Sequence, residues 1–480
     1  MDDQNNNDYR KQRIENMEKL SEMGFLSYKE SFKRSGKLQD LLNEFSLNKE
    51  VFACGRILTI RKMGKMAFAH INDGSAKFQI MVKKDQIGEN AFNAFKLLDI
   101  GDIIGVEGAY FLTKTEEKTI SVNSWTLLTK SLLPFPEKFH GLSDKEIRYR
   151  QRSLDLITNS ETQELFKNRS RIIKEIRYFL DNYGYMEVET PMLQQIPGGA
   201  AAKPFKSYYN ALSTDVYMRI APELYLKRLI VGGLDRVYEL NRNFRNEGID
   251  RTHNPEFTCL EIYEAYGDMR SMQCLVKKLF HHIAEKVFQT KEFEWMGHKI
   301  DLDKEWEEIT YENIIKKYLG NNWFNENLSF AINEANKRDI KIDSKMSFQE
   351  ITHEIYEKDI EPSIIQPTFV TRLPAYLVPL AKRCSDNNEF VDVFELIIGG
   401  KEIAPAYSEL NDPIDQKNRF ENQLNEDTKC IDDDFIKALE YGMPPTGGMG
   451  IGIDRLVMFM TGSEGIRDVI LFPQLKSKTN

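Results

Sequence analysis

The stretch FRNEGIDRTHNPEF, residues 244–257, concentrates side chains that could bind a phosphorylated ligand. Strand-like sequence lies on both sides of it, which predicts an antiparallel hairpin with a charged tip. An arginine such as Arg245 can hold a phosphate or a carboxylate through two parallel hydrogen bonds, and the ring of Phe257 can stack on a planar base. A solvated, charged hairpin is the alternative, and it explains Arg251 equally well.

The predicted strand after this loop, EFTCLEIYEAY, places four functional side chains on one face. Side chains of a strand alternate between its two faces, so Phe257, Cys259, Glu261 and Tyr263 point the same way. A ring, a carboxylate and a phenol together are unusual for a core face. The pattern therefore predicts a binding surface.

A second segment, FELIIGGKEIAPAYSELND, contains two glutamates that could share a cation. Its Gly-Gly pair predicts a two-residue hairpin turn with residue 397 opposite Glu402, which puts Glu395 on the face of Glu402 at roughly 7 to 8 Å between backbones. Converging carboxylates repel unless a cation separates them, and their oxygens suit Mg²⁺ that also contacts substrate phosphates. Surface glutamates on an edge hairpin are the alternative. Glu409 is out of phase with this face unless the strand bulges, for which Pro405 is the candidate position.

A third segment, PPTGGMGIGIDRLVMFMTG, combines a glycine-rich strand with the start of a helix. Glycines at 447, 448, 450 and 452 would let a flat ligand approach the strand closely. Asp454 is predicted to cap a helix that begins at Arg455, and a guanidinium beside a helix N-terminus suits a polyphosphate. Close packing of a helix on the glycines is the alternative.

Length and composition restrict the class of protein. A chain of 480 residues exceeds what one hydrophobic core usually serves, so two or three domains are expected. The acidic start MDDQNNNDYRK and the lack of long apolar runs predict a cytoplasmic protein that does not associate with membranes. Five dispersed cysteines without a CxxC pair predict reduced thiols, and a net charge of −9 argues against a generally basic nucleic-acid-binding surface. The chain has no Walker loop, so any nucleotide would bind in another way.

The sequence pattern divides the chain into three parts. Residues 1–48 form an N-terminal appendage with an amphipathic helix at 9–23. Residues 49–135 contain five closely spaced strand-like runs, which favour a small β-barrel of the oligonucleotide-binding (OB) kind. The segment SLLPFPEKF, with two prolines, predicts a linker to a larger domain at 136–480, which has a mainly helical insertion near 268–365.

One face of the predicted barrel could bind bases. Strand alternation places Met66, Phe68 and His70 on the same side, and aromatic faces of such barrels stack on nucleic-acid bases. A position in the barrel core is the alternative for Phe68.

Taken together, these segments resemble the class II aminoacyl-tRNA synthetases. The helix and strand around 184–191, the FRNEGIDRTHNPEF hairpin and GIGIDR are similar in order and spacing to motifs 1, 2 and 3 of that family. With GGAAAKPF, RIAPELYLKRL, SELNDP and EYGMPPTGG, the chain resembles the bacterial-type lysine–tRNA ligases from about residue 50 to 475. The resemblance implies an α+β fold with an N-terminal OB-fold anticodon-binding domain and an antiparallel-sheet catalytic domain, in which motif 1 forms a homodimer interface. The implied reaction is ATP-dependent ligation of L-lysine to its tRNA through a lysyl-adenylate.

The resemblance also implies roles for individual residues. ATP would be bound by Arg245, Glu247, His253, Phe257 and Arg455, and the two arginines would be catalytic. Lysine would be bound by Gly199, Glu223, Glu261, Tyr263 and Glu409. Glu395 and Glu402 would hold Mg²⁺, and Phe68 and Gln79 would contact the anticodon.

Four positions depart from the family pattern. Pro405 replaces an asparagine that touches the substrate carboxylate, and Ser124 replaces a glutamate that often helps to read the anticodon. Val378 replaces a serine and Arg372 an acidic residue. These departures concern the contacts to the substrate carboxylate and the anticodon, whereas the residues implied for phosphate, metal and ammonium binding match.

Three other functions fit the resemblance less well. A truncated paralogue that attaches lysine-like amino acids to a translation factor typically lacks the barrel. Aspartate- and asparagine-specific relatives would need a different pocket where Glu261, Tyr263 and Glu409 stand. A non-catalytic RNA-binding descendant would not need Arg245 and Arg455.

Overall fold

The computed structural model describes residues 3–135, 142, 144–200, 202–343, 345–422 and 431–476. Contacts divide the chain into two compact units, Met1–Gln163 and Glu164–Asn480. Part of the predicted linker at 131–139 lies outside the described residues, as does Cys430, and the other four cysteines are free thiols. Within the described ranges, helices that combine the length and the apolar character needed to cross a bilayer are absent.

The first unit contains a β-barrel and short helices. Its strands are β1 (Glu50–Met63), β2 (Met66–Asn72), β3 (Lys77–Lys83), β4 (Ile103–Leu112) and β5 (Lys118–Thr129). Its helices are α1 (Asp3–Glu22), α2 (Leu38–Asn43), α3 (Lys84–Ile87), α4 (Glu89–Phe95), α5 (Lys145–Arg150) and α6 (Arg152–Thr158).

The five strands close into a barrel in the order β1-β2-β3-β5-β4, as predicted for an OB fold. Along β2 the side chains alternate, with Ala67, Ala69 and Ile71 in the core and Phe68 partly exposed on the outer face. Phe68 is therefore not a core residue. Leu20 of α1 and two leucines of α2 are buried in the same core as the strands, so the N-terminal appendage is part of this unit's packing.

The second unit is built on a large mixed sheet. Its strands are β6 (Met186–Glu187), β7 (Leu193–Gln194), β8 (Lys206–Tyr209), β9 (Thr214–Met218), β10 (Arg236–Phe244), β11 (Glu256–Ala265), β12 (Glu292–Trp295), β13 (His298–Asp301), β14 (Glu307–Thr310), β15 (Thr368–Thr371), β16 (Val393–Ile398), β17 (Lys401–Ser408) and β18 (Thr446–Gly452). Its α-helices are α7 (Ser160–Asn182, which begins in the first unit), α8 (Glu223–Val231), α9 (Met269–Ile283), α10 (Tyr311–Leu319), α11 (Leu328–Lys337), α12 (Phe348–Ile355), α13 (Pro413–Asn422), α14 (Asp433–Glu440), α15 (Ile453–Thr461) and α16 (Ile466–Val469). Single turns of π-helix (Ala284–Phe288 and Tyr356–Ile360) and of 3₁₀-helix (Trp323–Asn325 and Glu361–Ser363) join some of them.

The main sheet has eight strands in the order β14-β15-β16-β17-β18-β11-β10-β6. Neighbouring strands run antiparallel except for the parallel pairs β14·β15 and β10·β6 at its two edges. Apolar residues of α7, α9 and α15 pack on one face and form the largest hydrophobic core. On the opposite face, residues of α8 and α14 pack against Val237 of β10 and Tyr263 of β11.

The predicted hairpin at residues 393–408 forms with the predicted register. Ile398 lies opposite Lys401 and Ile397 opposite Glu402, around a turn whose two glycines both have positive φ. The register shifts between Leu396 and Ile397, because Ile403 is an extra residue in β17. The strand thus contains the bulge that was expected, but it precedes Pro405 by two residues.

Residues 268–365 contain helices and also short strands. Helix α9 belongs to the main core, β12 and β13 form a separate hairpin, and β14 joins the edge of the main sheet. Helices α10 to α12 surround a second hydrophobic cluster.

The expected cap at Asp454 is wrong. Helix α15 begins at Ile453, and Gly452 occupies the N-cap position, so Asp454 lies within the first turn. Its carboxylate accepts a hydrogen bond from the backbone N–H of Thr258 at 2.8 Å and pairs with Arg169 at 2.6 Å. Asp454 therefore ties the helix to β11 and α7.

Candidate active site

The face of the sheet opposite α7, α9 and α15 combines functional side chains on β11 with glycines on β18. Strand register places Cys259 opposite Gly452, Glu261 opposite Gly450 and Tyr263 opposite Gly448. Because glycine has no side chain beyond Cα, other groups can come close to β18: a Cβ on Gly448 would collide with Glu409 and Tyr263, whereas one on Gly450 would have its nearest neighbour, Pro405, at 3.9 Å. The alternation on β11 agrees with the prediction from sequence.

Three carboxylates and one ammonium group form what we call the acidic pocket: Glu223, Glu261, Glu409 and Lys227. The Lys227 ammonium lies 2.7 Å from Glu223 and 2.5 Å from Glu409, and its side chain is completely buried. Tyr263 donates a hydrogen bond to Glu261 at 3.1 Å. Among the described side chains, Oε1 of Glu409 is a buried oxygen without a hydrogen-bond partner. Oε2 meets Lys227 as an ion pair but without hydrogen-bond geometry.

Burial raises the pKa of two carboxyl groups in the acidic pocket, where, among the described side chains, only one ammonium group is present to compensate their charge. Desolvation, together with the charge of Glu223, raises the pKa of Glu261 to about 8. Desolvation also raises the pKa of Glu409 to about 8, although Lys227 acts in the opposite direction. A buried carboxylate stays ionised only when cationic partners compensate for the lost hydration. The pocket is therefore suited to a ligand that brings ammonium groups.

Two glycines set the walls of the acidic pocket. A Cβ atom on Gly448 would lie 1.9 Å from Oε1 of Glu409 and 2.7 Å from the ring of Tyr263. Gly199 has a φ of +87°, and a Cβ there would lie 3.1 Å from Cβ of Glu223. The structure thus brings Gly199 to the pocket from a loop far from the other residues in sequence.

The hairpin between β10 and β11 carries the first of two arginines. The Arg245 guanidinium lies over the Phe257 ring, 5.1 Å from its centroid. Among the described side chains, Nε of Arg245 is a buried donor without a hydrogen-bond partner. Glu247 is exposed in the loop and donates its backbone N–H to the carbonyl of Arg245. This arrangement offers a guanidinium donor beside an aromatic ring.

The second arginine connects the hairpin loop with β17. Arg455 donates a hydrogen bond to the carbonyl of Glu402 at 2.7 Å, and its other terminal nitrogen is 3.4 Å from Nε2 of His253. The other ring nitrogen of His253 is 2.8 Å from the Asp250 carboxylate. This hydrogen bond helps to lower the pKa of Asp250 to about 2. The imidazole is thereby oriented toward Arg455.

A second group of carboxylates, the triple-glutamate cluster, contains Glu361, Glu395 and Glu402. Burial and then the charge of Glu402 raise the pKa of Glu361 to about 7. The pKa of Glu395 is raised well above its usual value by burial and by the charges of the other two. Glu361 accepts a hydrogen bond from the backbone N–H of Glu402 at 3.2 Å, and Tyr356 donates one to Glu395 at 3.3 Å.

The triple-glutamate cluster concentrates negative charge. The carboxylates of Glu361 and Glu395 are largely buried and that of Glu402 is partly exposed, and such mutually repelling groups are stabilised when a positive ion lies between them. In the part of the chain that the structure describes, no three such side chains are arranged as a complete metal site. The remaining ligands would have to come from a bound substrate or from water, as Mg²⁺ commonly requires.

Tyr407 joins the two acidic regions into one site. It lies on β17 opposite Gly448 of β18. Its pKa is raised by burial and by the charges of Glu223, Glu402, Glu395 and Glu409. One side chain therefore lies near both the acidic pocket and the triple-glutamate cluster.

Most of the residues expected from the sequence therefore surround one site in the second unit. Sequence reasoning missed Lys227, Glu361 and Tyr407. The signal for Lys227 was its spacing of four residues from Glu223 on one helix. Pro405 lies opposite Glu395 in the hairpin, on the same side as Tyr407.

The barrel carries the two residues expected to contact an anticodon. Phe68 is partly exposed on β2, and Gln79 of β3 is buried and accepts a hydrogen bond from Thr119 at 2.9 Å. Ser124 of β5 donates a hydrogen bond to Glu107 of the adjacent strand at 3.1 Å. A carboxylate is therefore present beside the position where the family pattern has one.

Comparisons with known proteins agree with this architecture. Residues 144–476 match the family described as tRNA synthetases class II (D, K and N), and residues 51–128 match the OB-fold nucleic acid binding domain. The chain is 48% identical over 487 residues to the lysine–tRNA ligase of Carboxydothermus hydrogenoformans, with 100% of both chains covered. It is 47% identical over 490 residues to that of Staphylococcus epidermidis, covering 98% of this chain and 99% of the relative. The lysine–tRNA ligase of Bacillus cytotoxicus is 47% identical over 482 residues, with 97% of each chain covered.

Proposed function

Since the chain belongs to the class II tRNA synthetases and, within them, to the lysine–tRNA ligases, we propose that its site activates L-lysine with ATP and transfers the lysyl group to a tRNA. The lysine carboxylate attacks the α-phosphorus of ATP, and pyrophosphate leaves. A terminal ribose hydroxyl of the tRNA then attacks the carbonyl carbon of the lysyl-adenylate and releases AMP. The site can accelerate these steps without a covalent nucleophile, by positioning and by stabilising charge.

The acidic pocket is the proposed lysine site. Glu409 and Tyr263, with Glu261 behind the phenol, would bind the ε-ammonium group, and Glu223 with the adjacent Gly199 would bind the α-ammonium group. This assignment rests on the free oxygen of Glu409, which is a buried acceptor among the described side chains. An ammonium donor at that oxygen would satisfy both its charge and its hydrogen-bonding capacity.

The arginines and the loop are the proposed ATP site. Arg245 would bind the α-phosphate and the lysine carboxylate, and its buried Nε is available to donate. Phe257 and Arg455 would contact the two faces of the adenine, Glu247 its edge, and His253 the distal phosphates. Arg245 and Arg455 are the proposed catalytic residues because they would stabilise the negative charge that gathers on the phosphoryl oxygens.

Glu395 and Glu402, with Glu361 beside them, are the proposed residues for a divalent metal, which we assign as Mg²⁺. When bound, Mg²⁺ neutralises phosphate charge and polarises phosphoryl oxygens. The carboxylates themselves hold a region of negative charge close to Arg455, and the backbone N–H of Glu402 fixes Glu361 at 3.2 Å.

One observation carries the proposal: a buried carboxylate pocket and two arginines border the same face of one sheet. The test is lysine-dependent exchange of labelled pyrophosphate into ATP. We expect exchange with L-lysine and not with aspartate or asparagine. Exchange driven by another amino acid, or none with lysine, would overturn the assignment.

The barrel is the proposed anticodon-binding domain, with Phe68 stacking on a base. Stacking contributes roughly 1–3 kcal/mol per base, so Phe68→Ala should raise the KM for tRNA by about five- to more than a hundredfold. Pyrophosphate exchange, which needs no tRNA, should be unchanged. Tyr9→Ala, which removes another exposed ring of the same unit, is the matched control. A parallel loss in exchange and charging would contradict the proposal.

The proposed pocket predicts that lysine binds more tightly as the pH rises. The folded-state pKa of both Glu261 and Glu409 is raised to about 8, so the ligand-free protein holds protons there that a bound ammonium group displaces. For the ligand-free protein, the contribution of these raised pKa values to the free energy of unfolding is fully present below the pKa of the unfolded state. It is lost as the pH rises through about 8. Lysine should therefore increase the melting temperature more at about pH 8.5 than at about pH 6.5. ATP alone is the control, and a lysine effect that shrinks with pH would contradict the proposed pocket.

We further propose a cytoplasmic homodimer. Strand β6 is an edge of the main sheet, and large apolar side chains within it and close to it in sequence are exposed: Tyr178, Tyr183, Met186 and Leu193. Exposed apolar surface of this kind is typical of an interface. Sedimentation equilibrium should give twice the mass of the chain, and a monomer would contradict this proposal.

We also propose that residues 49–135 are the anticodon-binding domain, that 1–48 are its appendage, and that 136–480 are the catalytic domain with its insertion near 268–365.

A further inference from the structure

Lys227 occupies the centre of the acidic pocket. It is the fifth residue of α8, and its ammonium group contacts Glu223 one helical turn before it and Glu409 just after β17. The carbonyl of Leu380 accepts a third contact at 3.4 Å. A lysine side chain that is completely buried requires such compensation, because an unpaired buried ammonium is strongly destabilising.

Other charged or titratable groups around the pocket do not replace Lys227. Arg219 pairs with Glu239 at 2.6 Å, so these two charges compensate each other beside Glu261. Two buried phenols, Tyr263 of β11 and Tyr407 of β17, also face the carboxylates. Lys227 therefore compensates for one of the three carboxylates of the pocket, and two are left over when all are ionised.

We propose that Lys227 is a specificity-determining residue. Its ammonium group leaves the acidic pocket with two uncompensated negative charges, which matches the two ammonium groups that lysine brings. The inference rests on the proposed function and adds to it a reason for the selection of a diammonium substrate. Lys227 lies against Oε2 of Glu409 and leaves Oε1 for the ligand. It thereby offsets part of the burial that raises the pKa of Glu409, so that the ε-ammonium group of lysine can displace the remaining proton, which an amino acid without a side-chain ammonium cannot do.

The proposal predicts what happens when the charge is removed. In Lys227→Met, Glu409 should hold its proton more tightly, and a protonated Glu409 rejects an uncharged side chain less strongly. A shift of one pKa unit corresponds to a tenfold change in affinity, so lysine should bind at least about tenfold more weakly near pH 7. The defect should shrink toward pH 8.5, and discrimination against L-norleucine, which lacks the ε-ammonium group, should fall by about tenfold.

The experiment is calorimetric titration of the full chain with L-lysine and L-norleucine at several pH values, in two buffers that differ in ionisation enthalpy. Wild type should release protons on binding lysine, and Lys227→Met should release more. The KM for ATP in pyrophosphate exchange should stay unchanged in that variant. Lys227→Arg keeps the charge and should keep the wild-type pH dependence even if its affinity falls. Lys437→Met, which removes an exposed lysine of α14, is the matched control.

Each possible result of this experiment either supports or overturns the inference about Lys227. If Lys227→Met binds lysine with the wild-type pH dependence, or if lysine and ATP use fall in parallel, Lys227 serves only the fold and the inference is overturned. If Lys227→Met does not fold, an altered pH dependence in Lys227→Arg overturns the inference and a retained one supports it. Failure of the wild-type protein to bind lysine would instead refute the proposed function, and this inference with it.

Discussion

Glu409→Gln should raise the KM for lysine by about a hundred- to several-thousandfold while changing the KM for ATP by less than about twofold. The Glu409 carboxylate is completely buried. Among the described side chains, one of its oxygens has no hydrogen-bond partner and could accept from a ligand, and the other pairs with Lys227. Removing one partner of a buried ion pair costs about 3–5 kcal/mol, and each 1.4 kcal/mol corresponds to about tenfold in affinity. The measurement is pyrophosphate exchange with each substrate varied in turn.

Glu440→Gln is the control for this experiment, because Glu440 is an exposed glutamate at the end of α14. It should leave both KM values unchanged. Equal losses for lysine and ATP in Glu409→Gln would refute the assignment of Glu409 to the ε-ammonium group.

Arg245→Ala should lower kcat for pyrophosphate exchange by about 10²- to 10³-fold, which is the effect of losing one donor to a developing oxyanion. The guanidinium lies over Phe257, and its buried Nε is available to a ligand. Arg245→Lys should not restore the rate, because an ammonium group lacks the planar, two-pronged geometry of a guanidinium. Single-turnover formation of lysyl-adenylate measures the chemical step directly.

Arg251→Ala provides a matched control on the same hairpin. The Arg251 side chain is exposed and lies 3.5 Å from the equally exposed Glu464, a pair that contributes little. A loss in Arg251→Ala as large as that in Arg245→Ala would show that the loop as a whole, and not one guanidinium, supports the reaction.

Sequence patterns correctly predicted the features that depend on residues adjacent in the chain, such as turns and strand alternation. The glycine pair at 399–400 specified a tight turn, and the register that follows from such a turn is the one observed. Two-residue alternation placed Glu261 and Tyr263 on one face of β11 and Met66, Phe68 and His70 on one face of β2, although it did not decide that Phe68 lies outside the barrel core. These predictions succeeded because each rests on neighbouring residues.

The missed features depend on contacts between distant parts of the chain. Glu361 follows a π-helical turn and reaches Glu402 across 41 residues, and its own sequence surroundings contain no sign of this contact. Asp454 resembles a cap in sequence, but its hydrogen bond to Thr258 spans 196 residues. The bulge at Ile403 is likewise set by how β17 fits β16. Tertiary packing decides such details.

The extra residue in β17 has a consequence for any attempt to alter the choice of amino acid. Because it brings Glu402 into phase with Pro405 and Tyr407, the same strand carries a carboxylate proposed to bind the cation and leads directly to Glu409. Moving this backbone to accommodate a larger or smaller substrate would displace the groups proposed to handle the triphosphate. Redesign of this enzyme should therefore exchange side chains at fixed backbone positions, and insertions or deletions between residues 402 and 409 should abolish activation of every amino acid.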